Sequence, residues 1–136
     1  MPDALPISGK FRLALWTLAP AIIRFRASNM ILNIHSEALY CLAGRWRSQA
    51  GGYFFLRSIP MNGQPIKLNG NIHIPCAILK LVAASAEEAE LGALFLNARE
   101  AKVLWITLHE LGHPQPPPPI HADNTTAVGI VSNTIL

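Results

Sequence analysis

Between Ser85 and Gly112 the sequence carries its longest unbroken pattern, with Leu91, Leu94, Phe95, Ala98, Ala101, Trp105 and Leu108 recurring at helical spacing. Ser85 followed by Glu88 is the reciprocal pair of a capping box, and Gly112 ahead of Pro114 supplies the stop. Strand-like runs flank this helix on both sides. Upstream lie Met-Ile-Leu-Asn-Ile-His from Met30, then, after a loop containing Gly44, the aromatic-rich Gly51-Gly-Tyr-Phe-Phe-Leu56, and finally the alternating run Ile66 to Ile74. Pro60 to Pro65 encloses an Asn62-Gly63 step, a strong hairpin signal, so three strands in an antiparallel meander are expected. Downstream, prolines 116 to 119 make a stiff connector, Ile120-His-Ala-Asp123 reads as a short strand, and Asn124 to about Ser132 as a weaker second helix. The order β-β-β-α-β-α places a crossover helix between strands, which predicts an α/β fold with a mixed sheet whose last strand runs parallel to its first.

The rest of the chain narrows the class. Of its 136 residues, 51% are hydrophobic and 14% charged, enough apolar side chain for one packed domain and too little charge for native disorder. Collagen, coiled coil and disulfide mini-protein are excluded. Spanning a bilayer takes about 20 apolar residues, whereas the run Leu13 to Ile23 is shorter and bracketed by Arg12 and Arg24, so no membrane partner is expected. Lys10 and Arg12 ahead of that run imitate a secretory signal, but Pro2, Asp3 and Pro6 do not fit one. Cys41 and Cys76 show no paired spacing and read as buried or reduced thiols, in keeping with an intracellular setting, cytoplasm or nucleus, rather than secretion. Residues 1–28 read as a lead-in, disordered or holding a short helix broken at Pro20, and residues 29–136 as the domain.

Net charge is +3, unevenly spread: residues 1–80 hold nine Lys and Arg against Asp3 and Glu37, whereas residues 81–136 hold Arg99 and Lys102 against six acids. A basic half beside an acidic half suits a protein that grips an anionic polymer with one surface and holds cations with another, or is ordinary surface charge.

Two chemistries compete for the acids and histidines. His109-Glu-Leu-Gly-His113 matches the HExxH pattern in which two histidines on one helical face bind zinc and the glutamate, here Glu110, acts as base. Its setting is poor, because Pro114 disfavours helix at His113 and no third ligand follows at a usable spacing. A polar helix end with histidines near the negative pole of the dipole is the alternative account. The second candidate is Glu37 after the first strand, Glu90 in the second turn of the long helix, and Asp123 at the end of the last strand. In the expected topology the first and last strands are neighbours, so these three carboxylates converge as two-metal phosphodiester hydrolysis requires. Each also has a plain reading: Glu37 a solvated loop residue, Glu90 one more charge beside Glu87 and Glu88, Asp123 the cap of the following helix.

Four blocks in order, Asn33-Ile-His-Ser-Glu-Ala38, Arg47-Ser-Gln-Ala-Gly-Gly-Tyr-Phe-Phe-Leu56, Ala83-Ala-Ser-Ala-Glu-Glu-Ala-Glu-Leu-Gly-Ala93 and Pro119-Ile-His-Ala-Asp-Asn-Thr-Thr-Ala127, closely resemble the ribonuclease H domain of copia-type retrotransposon polyproteins. The likeness covers roughly residues 29 to 136, and Ile22 to Ser28 looks like the connection to a reverse transcriptase part. The resemblance implies a ribonuclease H-like fold, with Glu37, Glu90 and Asp123 in the first three catalytic and metal-binding places. It further implies two magnesium or manganese ions and hydrolysis of the RNA strand of RNA/DNA hybrids, with the reverse transcriptase part of the same polyprotein as partner. Arg45 and Arg47, with Asn124, would face the nucleic acid, while Trp46 faces the backbone or covers an apolar edge. Two departures follow from the same comparison. The family carries Asp where this chain has Glu37, a longer side chain expected to weaken or displace a metal, since about half an ångström of misplacement already matters. Relative to the family pattern the final strand, last helix and fourth carboxylate are lacking, so the expectation is a truncated domain of impaired activity, or a non-catalytic nucleic-acid-binding remnant.

Overall fold

The computed structural model describes residues 22–43, 46–59 and 67–132. Its elements run β1 (Ile31–Ala43), β2 (Arg47–Arg57), β3 (Asn71–His73), β4 (Cys76–Ile78), α1 (Ala86–Glu110), β5 (Ile120–His121) and α2 (Thr125–Val131). Together they form a mixed α/β fold with one five-stranded sheet, ordered β3-β2-β1-β5, in which β4 also pairs with β2. β1 and β2 are antiparallel, and β5 lies parallel to β1 with Ile34 opposite Ile120 and His35 opposite His121. The mixed sheet with a parallel last strand is as expected from the order of elements.

Several details differ from the sequence-based expectation. β1 continues to Ala43, with its register shifting between Leu39 and Ala43 and Cys41 at φ 51°, so Glu37 lies inside a strand and not in a loop after one. The expected third strand, Ile66 to Ile74, is a strand only at β3 among the described residues, and an unexpected further strand, β4, forms beyond it, separated by Pro75, which has no N–H to give a ladder. Its carbonyl instead accepts from Gly52 N at 3.0 Å. β5 stops at His121, two residues short of Asp123. Cys41 is half-buried and Cys76 exposed, and both are free thiols, the second of the two alternatives expected. The Asn62-Gly63 hairpin, Gly44, the start of the expected third strand at Ile66, and the signal-like run and helix break at Pro20 lie outside the described residues. The described part of the lead-in, from Ile22 to Ser28, forms no helix or strand. It is tied to the domain where Arg24 O accepts from Gly70 N at 2.9 Å and Arg26 N donates to Asn69 Oδ1 at 2.7 Å.

The ends of α1 are as the sequence predicts. Ser85 is its N-cap, accepting from Glu88 N, while Glu88 Oε2 accepts from Ala84 N at 2.7 Å, one residue before the cap. At the other end Gly112, at φ 86°, donates to His109 O and His113 N donates to Leu108 O, both at 3.0 Å, the two bonds of a Schellman stop. None of the described helices is long and apolar enough to cross a membrane.

Packing explains how closely the helix approaches the sheet. One core cluster joins Leu32, Ile34, Phe54 and Leu56 to Ala101 and Leu108 near the end of α1. The other, under its first half, is built from small residues, with Ala89 and Ala93 against Ala50, Leu79 and Ala83. At Gly92 an added Cβ would stand 3.0 Å from Leu81 Cδ2, so the chain there has room for nothing larger without adjustment. Small side chains let the first half of α1 sit close over the strands. Close approach brings a glutamate on that face within reach of the strand backbone.

Candidate metal centre

The outer edge of β1 decides what the next polar group must do. β5 is only two residues long, so most of the backbone N–H groups on that edge lack a strand partner, and buried N–H groups must find one. Gln115, buried in the connector after α1, serves one of them and a carbonyl just ahead of the strand: its Oε1 accepts from Leu32 N at 3.0 Å and its Nε2 donates to Met30 O at 2.8 Å. Pro119 O accepts from Ile34 N at 3.2 Å. Further along, beyond the end of β5, Ala38 N donates to Glu90 Oε1 at 3.1 Å.

Glu90 is 8% exposed, and its second carboxylate oxygen, Oε2, is buried without a hydrogen-bond partner. Burial pushes its pKa above the ordinary glutamate value; the Ala38 N–H works against that shift, and the nearby Glu37 and Asp123 carboxylates add to it. Glu37, paired across the sheet with Gly51, and Asp123, just before α2, are both exposed. One carboxylate oxygen from each of the three lies within 4.8 Å of the others. Opposite ligands around an octahedral cation at 2.0–2.1 Å are about 4.2 Å apart, so a small closure of these side chains would seat one. The longer side chain of Glu37 does not remove it from the cluster. The donor set, hard oxygens from three carboxylates, one of which also has a buried oxygen left unsatisfied, fits magnesium, manganese or calcium.

Glu37 is exposed as its plain reading has it, though in a strand. The other two plain readings of these acids do not survive: Glu90 is not a solvated charge, and Asp123 is not the cap of α2. That duty belongs to Asn124, whose Oδ1 accepts from Thr126 N and Ala127 N, both at 3.0 Å, which commits its side-chain oxygen to the helix.

The HExxH residues come out differently. His109 and Glu110 are exposed at the last turn of α1, and His113 lies beyond the left-handed Gly112, off the helical face it would need to share with His109. Among the described residues, the one group of three or more His, Cys, Asp and Glu side chains placed to hold an ion is the carboxylate trio. Arg45 lies outside the described residues. Arg47 opens β2 and is exposed, and Trp46 beside it is 83% exposed at φ 56°.

Two features escaped sequence reasoning. Asn97, 2% exposed, donates to Ser36 Oγ at 2.8 Å and Gly51 O at 2.9 Å. Its only sequence signal is an amide seven residues after Glu90, on the helix's inner face. On the opposite sheet face, His35 and His121 rings lie 5.1 Å apart, and Nε2 of each, with Nε and Nη1 of Arg57, is buried and unpartnered. Burial, His35 and Arg57, in that order, hold the His121 pKa below its ordinary value.

Compared with known proteins, the chain matches no family model, no curated protein and no solved structure.

Proposed function

We propose that this chain is a ribonuclease H-like domain of the copia-type retrotransposon class, hydrolysing the RNA strand of RNA/DNA hybrids with divalent cations held by Glu37, Glu90 and Asp123. The observation that carries this reading is the convergence of those three carboxylates, from β1, α1 and the segment after β5, within 4.8 Å. Magnesium or manganese, as a pair of ions when bound, supplies Lewis acidity toward the phosphodiester and lowers the pKa of a bound water. The chain's part is to arrange the donors. Ala38 N–H fixes one oxygen of Glu90 and leaves Oε2 for a cation, while Glu37 and Asp123, both exposed, stand on the side a substrate can approach. Because burial and the neighbouring acids raise the Glu90 pKa above the ordinary glutamate value, cation uptake, which needs the carboxylate, strengthens as pH rises through that pKa. Trp46 and Arg47 supply an aromatic surface and a cation at the start of β2, chemistry suited to a nucleic-acid backbone.

The test is hydrolysis of an end-labelled RNA/DNA hybrid in magnesium and then manganese, with Asp123→Asn beside the parent. Cleavage confined to the RNA strand and lost in the variant is expected. A folded parent that binds the hybrid without cleaving it would contradict the nuclease reading and make the chain a non-catalytic nucleic-acid binder.

A further inference from the structure

Glu37 is flanked in β1 by two residues that α1 holds from above. On one side Ala38 N donates to Glu90 Oε1 at 3.1 Å, and on the other Ser36 Oγ accepts from Asn97 Nδ2 at 2.8 Å. Glu90 and Asn97 are seven residues apart, two helical turns, and so share the face of α1 that looks onto the sheet. The same Asn97 amide donates to Gly51 O at 2.9 Å, and Gly51 is the residue paired with Glu37 across the sheet. One buried amide therefore ties the helix to both central strands at the level of the first acid.

Space as well as bonding fixes this amide. A Cβ added at Gly52 would stand 2.3 Å from Asn97 Oδ1, so glycine there leaves the room that the side chain occupies. Ser36 is fully buried, and an amide or hydroxyl left without its partner at such a site costs more than the bond itself contributes. A slide of α1 along the sheet would break both Asn97 bonds together with the Glu90 bond. The helix thus has one register in which all three are made.

We infer that Asn97 is the positioning residue of the carboxylate centre: through Ser36 and Gly51 it sets where α1 lies on the sheet, and so the separation of Glu90 from Glu37. The inference rests on the metal-centre reading for its consequence, but the positioning is measurable without a metal. In Asn97→Leu, the amide of Ala38 loses the steady acceptor that Glu90 provides, and cation binding weakens because Glu90 no longer meets Glu37 at a fixed distance.

The experiment compares parent, Asn97→Leu, Ser36→Ala and Leu108→Ala, the last removing packing at the far end of α1. Two quantities are read, amide hydrogen exchange at Ala38 and the affinity of the folded protein for Mn2+. Asn97→Leu should speed exchange at Ala38 more than about 10-fold beyond the Leu108→Ala control at matched stability, and weaken Mn2+ by about 10–100-fold, as loss of outer-shell partners does. Ser36→Ala, which leaves the Gly51 bond in place, should move both quantities in the same direction by less. Exchange and affinity in Asn97→Leu equal to those of the control would overturn the inference. If Asn97→Leu does not fold, Ser36→Ala decides by the same criterion. A parent that takes up no Mn2+ would overturn the metal-centre reading alone, with exchange at Ala38 still deciding whether Asn97 sets the register.

Discussion

The two ends of α1 carry residues of the same chemical kinds and have opposite fates. At the first end Glu90 is buried beneath small side chains, has one oxygen bonded to the strand and the other unpartnered, and meets two more carboxylates. At the last end His109, Glu110 and His113 match a stronger written motif, yet all three are exposed and Gly112 turns the chain away between the second and third. A motif is a statement about spacing along the chain. A metal centre needs convergence in space, and here that comes from a strand, a helix and a loop far apart in sequence.

The comparison is broken most decisively through cleavage. Glu90→Gln should lower Mn2+-dependent cleavage of the hybrid by more than about 100-fold, beyond what even outer ligand partners cost. His109→Ala and His113→Ala should leave the cleavage rate at the parent's value. Loss of cleavage in either histidine variant would move the chemistry to the wrong end of the helix.

Stability sharpens the same contrast. Leu108→Ala, at a 7%-exposed position in the core cluster that includes Leu32 and Phe54, should cost about 2–5 kcal/mol in denaturant unfolding while cation affinity of the folded fraction is unchanged. Gly112→Ala should cost about 1–2 kcal/mol from backbone conformation alone, since nothing stands within 4 Å of an added Cβ at φ 86°. Neither change should reach the carboxylates.

The smallest effect concerns pH. Glu90 has a pKa raised by burial and by its acidic neighbours, so without cations its favourable contribution is fully present below the unfolded value and lost as pH rises through the folded one. Glu90→Gln removes that loss. Thermal melts in chelator should show the variant more stable than the parent at neutral pH, with the difference shrinking toward the acid side of the ordinary glutamate range.

What the sequence revealed depended on how local its cause was. Both ends of α1 were legible, because Ser85, Glu88 and Gly112 act within a few residues of themselves. So was the parallel placement of β5, which follows from a helix connecting strands in one sheet. β4, beyond Pro75, was not legible, because three residues are too few to carry a pattern of their own and their place depends on pairing with Gln49 to Gly51. The length of β1 was not legible: its continuation past His35 depends on pairing with Gln49 to Gly52, residues that declare nothing about their partner in isolation. Asp123 and Asn124 are adjacent, equally good caps, and only the packing of α2 decides that Asn124 takes the duty and frees the acid. For the same reason Asn97 and Gln115 passed unnoticed. Their role is to satisfy strand backbone and a buried hydroxyl more than 40 residues away in sequence, which no local pattern encodes.

The most direct measurement is a calorimetric titration of Mn2+ into the parent and into Glu37→Gln, Glu90→Gln and Asp123→Asn. Saturable binding by the parent, severely weakened in each of the three, is the predicted result. A folded parent that takes up no Mn2+, or three variants that bind as the parent does, would contradict the carboxylate centre.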